Sequence, residues 1–285
     1  MKEQIFIKFI KQEVNNSFIG DDCAYLKELG IVITQDNFVE DVHFKTEWAT
    51  PYQIGYKAVA VNISDILASG AKPAYITVGL SLPPNTNEYF IKELYRGIKA
   101  GSYGAEIIGG DITGSNKIFI SITAIGKTVG RNISSRANAK EGFVVIASGN
   151  FGESSKGLQE LQKGVKISSS ITAHLEPILD VQFSEAISTQ IKTDYAMMDT
   201  SDGLADALFQ IAKASNVKIV TQNIEGMFCA EDYKLVAVLP KDFLSKIKDY
   251  KLIGEVVEFD GAYLQIGNKK FNNYDELDLF DHFNS

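Results

Sequence analysis

The chain has 285 residues and a mass of 31.3 kDa, enough for one large domain or two of ordinary size. Its 45% hydrophobic and 22% charged content is that of a soluble globular protein, and no apolar run approaches a membrane span. A net charge of −8 with a pI near 5.0 counts against nucleic acid as the main partner, whereas an anionic small substrate is compatible if metal ions bring it in.

In chain order, Met1–Lys11 mixes charges into apolar residues at helical spacing, so it reads as an amphipathic helix and not as a signal peptide. Phe18–Leu26 reads as a turn into a short strand and Ile31–Asp36 as a second strand, β-branched until it turns polar. Pro51 opens a long helix over Tyr52–Ser69, with Gly70 as its stop and Asp65 near its end. Ala74–Leu82 is the third expected strand, Thr86–Gly101 a helix, Ala105–Gly109 a strand ending at Asp111, and Lys117–Gly126 an apolar strand. The composition turns polar over Ser134–Gly142, which places a boundary between an N-terminal domain, 1–137, and a C-terminal α/β domain, 138–285. Beyond it the pattern predicts strands at Phe143–Ser148, Tyr195–Met198, Lys218–Thr221 and Tyr233–Val238. Helices are expected at Ser154–Gln162, at Pro177–Ser188 and from Ser201, with Ser168–Ser170 as a polar spacer. Ile253–Phe259 and Ala262–Ile266 read as a hairpin around Asp260-Gly261.

Common catalytic signatures are missing. There is no Gly-x-x-x-x-Gly-Lys-Ser/Thr loop, no Gly-x-Gly-x-x-Gly between strand and helix, no His-Glu-x-x-His and no serine-hydrolase elbow. His43, His174 and His282 are widely spaced. Cys23 and Cys229 are too few for a disulfide framework or a thiolate metal site, which points to the reducing cytoplasm. What remains is acidic: Asp22, Asp36, Asp65, Asp111, Asp199 and Asp202 all sit at the ends of strands or helices. Oxygen donors without thiolates or clustered imidazoles suit hard cations such as Mg²⁺. Each aspartate alone is explained as well by a cap or a turn, but the set beside buried segments is not. Met197–Asp206 crowds three carboxylates into one strand-to-helix junction, where Ser201 or Asp202 suffices as the cap. Asp65 near a helix C-terminus opposes the dipole unless a cation faces it. Gly109–Gly114 can bring backbone N–H groups to a phosphate, although any tight turn looks the same. Arg136 and Lys140 are phosphate contacts or solvated charges.

Several stretches point to a family: Ile19–Ala24, Thr34-Gln35-Asp36 with Val42-His43-Phe44, Tyr56–Pro73, Ile108–Asp111, Met198–Leu204, Glu231-Asp232-Tyr233 and Asp281-His282-Phe283. The chain resembles the thiamine-monophosphate kinases, which share the fold of aminoimidazole ribonucleotide synthetase and selenophosphate synthetase. The resemblance implies an α/β (α+β), two-domain aminoimidazole ribonucleotide synthetase-like fold and a homodimer in which the amino-terminal sheets pack together. It also implies ATP-dependent phosphorylation of thiamine monophosphate to thiamine diphosphate with several Mg²⁺ ions. By resemblance, Asp22, Thr34, Gln35, Asp36, Asp65, Asp111, Asp199 and Asp202 hold metal, and Gly110, Asp111, Arg136 and Ser201 contact ATP. His43, Glu231 and Phe280 match positions that contact the thiamine phosphate, and Asp65, Asp111 and Arg136 carry the catalysis.

The departures lie on the acceptor side. Gln35 stands where the family usually has Thr, Cys229-Ala230 replaces Gly-Gly, Asn223–Cys229 is short, and Phe280 often aligns with Tyr or Trp. A same-fold ATP- and Mg²⁺-dependent enzyme with another acceptor is therefore the alternative, and a non-catalytic nucleotide-binding assembly protein is a further one. The nucleophile, a phosphate monoester with a second pKa of about 6, needs no protein base. Asp206 has no family role and is expected to be a solvated helix residue.

Overall fold

Apolar, β-branched alternation builds the first half around one sheet. The computed structural model describes residues 2–16, 18–277 and 279. Helix α1 (Lys2–Val14) precedes strands β1 (Ala24–Leu26) and β2 (Ile31–Val39), the long helix α2 (Pro51–Ala68) and strand β3 (Lys72–Leu82). Helix α3 (Glu88–Gly101) then leads to β4 (Glu106–Gly114) and β5 (Phe119–Lys127). The strand order is β1-β2-β5-β3-β4, parallel between β3 and β4 and antiparallel elsewhere. Val32, Ile76, Val78, Ile120 and Ile122 are buried on the helix side of the sheet, while Thr77, Ser121 and Thr123 alternate with them on a half-exposed opposite face.

Helix α2 starts with a capping box. Thr50 accepts the N–H of Gln53, whose side chain accepts the N–H of Thr50, and Pro51 fills the first turn. From Ile54 to Ala68 nearly every residue is buried, because the sheet, α3 and the second half of the chain surround the helix. The α2–α3 contact is backbone on backbone: a Cβ on Gly55 would lie 2.1 Å from the Leu94 carbonyl oxygen, and one on Gly97 would lie 1.9 Å from that of Tyr52.

The second half begins at the helical turn Arg136–Asn138. Strand β6 (Val144–Ala147) is followed by helices α4 (Glu153–Gln162), α5 (Ser169–Leu175) and α6 (Val181–Gln190), strand β7 (Ala196–Asp199) and helix α7 (Leu204–Ser215). Strands β8 (Lys218–Thr221), β9 (Leu235–Leu239), β10 (Lys251–Val257), β11 (Leu264–Ile266) and β12 (Lys269–Phe271) complete a sheet of order β12-β11-β8-β10-β6-β9-β7. One face, with Ile146, Met197 and Ala237, shares a continuous core with α2. The other, with Val145, Met198 and Val238, packs on α7. No helix among the described residues is long and apolar enough to cross a membrane.

The α/β character and most elements match expectation, with three corrections. The polar run at 168–170 is a helix start, since the Ser168 side chain accepts the Ile171 N–H and caps α5. The hairpin around Asp260-Gly261 does not form. Strand β10 lies between β8 and β6, and β11 pairs in parallel with β8, while Lys218 and Lys270 hold Asp260 at 2.6 and 2.7 Å. Neither Ser201 nor Asp202 caps α7: Gly203, at φ 104°, is its N-cap, and the Met227 carbonyl takes the Ala205 N–H at 2.8 Å. A side chain on Gly97 has no room, so Gly97→Ala should cost about 1–3 kcal/mol or more by overpacking. A lower urea midpoint at unchanged m value is the expected reading, and wild-type stability would refute the backbone contact.

Candidate active site

Three segments converge on one point. Strand β7 ends at Asp199, α2 brings Asp65 to its last turn, and the loop before β1 carries Asp22. Carboxylate oxygens of the three lie within 4.8 Å of one another. Each is held by a donor: Thr34 Oγ1 to Asp65 at 2.6 Å, Ser64 Oγ to Asp199 at 2.6 Å, and Arg136 Nη2 to Asp22 at 2.9 Å. The Ser64–Asp199 bond ties the two halves of the chain together. Strand alternation puts Thr34 and Asp36 on the same side of β2 as buried Val32 and Phe38, and the Asp36 N–H donates to Asn62 Oδ1 at 3.0 Å.

Burial is the largest influence on these acids, and crowding adds to it. It pushes Asp65 well above the carboxylate range, with further upward pressure from Asp36, Asp199 and Asp22. Asp199 rises to about 7 and Asp36 to about 6, in each case by burial and then by the charge of Asp22. Asp22 itself is raised by burial, against the opposing pull of Arg136. A buried, all-oxygen donor set that one guanidinium only partly neutralises fits a hard divalent cation.

The other expected ligands stand apart from this group. The Gln35 amide is on the far face of β2, at 3.3 Å from Ser121 and 3.1 Å from Thr123, so its oxygen is turned away from the acids. Asp111 is exposed on the edge strand β4, in the cross-strand row of Gly79 and Ser121. Three strand spacings separate β4 from β2, roughly 14 Å at about 4.8 Å each. Gly110 is demanded by the sheet itself, since a Cβ there would lie 1.9 Å from the Val78 carbonyl oxygen. Asp202 is exposed in the β7–α7 turn, and the neighbouring Ser201 carbonyl accepts the Glu231 N–H at 2.7 Å. Phe280 lies outside the described residues.

Two turns before Asp65 on α2, Lys57 is 2% exposed and pairs with Glu231 at 3.0 Å. Burial opposes the charge of Glu231, but Lys57 outweighs it and holds the carboxyl below its usual range. Burial and Lys57 push His174 down to about 4, so its imidazole is neutral at pH 7; its Nδ1 lies 3.0 Å from Ser154 Oγ. Glu231 and Tyr233 both take left-handed backbone, at φ 66° and 50°. Between them Asp232 caps α4, accepting the N–H groups of Gly152 and Ser154 at 2.6 and 3.0 Å. The recess beside Lys57 is walled by Phe38, His43, Phe44, Trp48 and His174. His43 Nδ1 accepts the Val39 N–H at 3.1 Å. A second, polar recess is lined by Asp21, Asp22, Tyr25, Ser69 and Ser135.

Sequence reasoning missed Lys57, Asn62 and Ser64. For two of them the signal is periodicity, because Lys57, Ser64 and Asp65 stand at i, i+7 and i+8 and share one face of the helix; Asn62, at i+5, is off that face. Asp206 is a correction: it is 0% exposed, accepting hydrogen bonds from Tyr274 and Gln210, because the turn at 274–277 folds over α7.

This fold and acid cluster define an AIR synthase-related protein, and residues 20–128 match the family model of the AIR synthase related protein, N-terminal domain. A thiamine-monophosphate kinase of Pyrococcus horikoshii is 30% identical, over 94% of this chain and 93% of its own. One of Corynebacterium glutamicum is 34% identical, over 75% and 68%. Among solved structures, AaThiL complexed with AMPPCP and TMP is similar at a TM-score of 0.84 and 30% identity, covering 94% of each chain. The chain belongs to the thiamine-monophosphate kinase family.

The raised carboxyls give a signed pH dependence. Groups whose folded pKa exceeds the ordinary 3.8 favour the fold when protonated; this stabilisation is present below about pH 4 and lost as pH rises through about 6 for Asp36 and about 7 for Asp199. In EDTA, Asp199→Asn should therefore melt above wild type at about pH 8, with the gap closing as the pH falls to about 4. Added Mg²⁺ should reverse the order at the higher pH. A variant no more stable than wild type at about pH 8 would contradict the repulsion.

Proposed function

We propose that the chain transfers the terminal phosphoryl group of ATP directly to the phosphate of thiamine monophosphate, by in-line displacement in a site holding several Mg²⁺ ions. The convergence of Asp22, Asp65 and Asp199 carries this reading, because Arg136 alone only partly balances that density of charge. Asp22, Asp36, Asp65 and Asp199 are the ligands from this cluster, with Thr34 and Ser64 aiming two of them. Mg²⁺ there would neutralise two polyanions and align them for displacement. Arg136 faces the nucleotide phosphates, and Ser201 and Asp202 border them from the β7–α7 turn. The aromatic recess beside His43, Lys57 and Glu231 takes the acceptor, and Phe280 is assigned to the same acceptor by resemblance alone. The acceptor phosphate, largely dianionic at neutral pH with a second pKa of about 6, is nucleophilic without a protein base. This reading keeps 1–137 and 138–285 as the two domains, with the site between them, and places the ATP-consuming reaction in the cytoplasm.

We further propose a homodimer through the half-exposed face of the first sheet. That face lines up half-exposed Ile33, Tyr75 and Ile125, with Phe119 further along, across β2, β5 and β3, apolar surface that a second copy would cover. The separation across the sheet keeps Gly110 and Asp111 from their own Asp36, so they act from one subunit in the site of its partner; Gln35 belongs to the same interface.

Purified protein given ATP, Mg²⁺ and thiamine monophosphate should form thiamine diphosphate, and ATP binding without product would overturn the acceptor assignment. Asp65→Asn should abolish turnover while leaving the fold intact, and near-normal activity would sink the metal-cluster reading. Mixing and refolding Asp65→Asn with Asp111→Asn should restore roughly a quarter of wild-type activity, the statistical share of intact sites if a two-fold dimer combines one residue from each subunit. No recovery at all would argue against shared sites.

A further inference from the structure

Buried Asp206 has no part in the chemistry above, but its neighbours lead to the site. Tyr274 donates its phenolic hydrogen to Asp206 Oδ1 at 2.5 Å, and Gln210 Nε2 donates to the two carboxylate oxygens at 3.2 and 3.1 Å. Gln210 Oε1 in turn accepts from Arg136 Nη1 at 3.1 Å, while Arg136 Nη2 donates to Asp22 at 2.9 Å. Only one orientation of the amide satisfies these partners. A carboxylate accepts and a guanidinium donates, so Gln210 must turn its NH₂ to Asp206 and its oxygen to Arg136. The backbone of Arg136 is held as well: Ser215 Oγ donates to its carbonyl at 2.7 Å, and Asp21 accepts its N–H at 2.7 Å. Arg136 Nε is buried without an acceptor, an unpaired donor that a bound anion would satisfy.

We infer that Asp206 is a positioning residue which, by fixing the amide of Gln210, holds the Arg136 guanidinium in place for a nucleotide phosphate. The inference rests on the assignment of Arg136 to the nucleotide. Asp22 is shared between Arg136 and the cation site, and a carboxylate drawn toward a cation holds its arginine less firmly. Gln210 is the anchor that stays, and Asp206 keeps it facing the right way. Tyr274 covers the far side of the carboxylate, so the turn at 274–277 is coupled to the site through two side chains.

The test exchanges the two groups. Asp206→Asn keeps the shape but adds a donor, so the Gln210 amide loses its fixed orientation. Asp206→Asn with Gln210→Glu swaps amide and carboxylate at unchanged net charge: the guanidinium meets a carboxylate, that carboxylate meets the new NH₂, and Tyr274 meets the new carbonyl. Asp206→Asn should weaken AMPPCP binding measured by calorimetry with Mg²⁺ present, and raise KM for ATP, each about tenfold, with KM for thiamine monophosphate unchanged. The exchanged pair should recover most of both. A single variant that shifts only the melting temperature, or a pair that regains melting temperature without nucleotide affinity, makes Asp206 structural and overturns the inference. If Asp206→Asn does not fold, the pair decides alone: wild-type AMPPCP affinity supports the inference and weak affinity overturns it. Arg136→Gln separates the two readings. Unchanged AMPPCP affinity there removes the assignment of Arg136, whereas weakened binding there beside normal binding in Asp206→Asn removes the inference alone.

Discussion

The structure depends on holding three carboxylates together where water cannot shield them. At the separation of Asp22, Asp65 and Asp199, each ionised pair repels by roughly 3–4 kcal/mol at an effective dielectric constant of about 20. Such a cluster persists only because rigid elements impose it. Helix α2 is fixed by its capping box and by backbone contact with α3, and Asp65 has nowhere else to go. Strand β7 sits at the edge of the second sheet with Asp199 at its end, and Ser64 pulls that carboxylate against α2. The stability of two sheets and their shared core is what opposes the repulsion.

The same helix supplies the other half of the site. Lys57 lies two turns before Asp65 and is among the most deeply buried side chains, yet it keeps its charge partnered through Glu231. Glu231 reaches it because left-handed backbone on both sides of Asp232 turns the loop, while Asp232 caps α4. One helix therefore presents anions at its C-terminal end and a cation toward its start, on one face. The anionic end is where a cation would bind, and the other end is an aromatic recess whose Lys57 is already paired by Glu231. His174, neutral by burial, adds no charge to that recess.

Arg136 links these parts. It stands in the turn between the two halves of the chain, held by Asp21 and Asp22 from the first and by Gln210 and Ser215 from the second. Its guanidinium is thus shared between Asp22 of the first half and Gln210 of the second, and any shift between the halves is felt there.

Most of the elements, and a set of aspartates marked out by their placement, were legible in the chain alone. Acidic residues at the ends of apolar segments are legible because burial of unneeded charge is costly, so Asp22, Asp36, Asp65 and Asp199 could be grouped before any fold was known. Capping signals and alternation likewise placed α2, β3, β5 and β7 within a few residues. What only the tertiary structure decided is who faces whom. Pattern cannot tell that Gln35 meets Ser121 and Thr123, that Asp111 is three strands distant, or that β11 pairs with β8 in parallel. Asp206 is the clearest case: exposure on a helix depends on what packs against it. The turn that buries it lies 68 positions away in sequence, beyond the reach of any local rule.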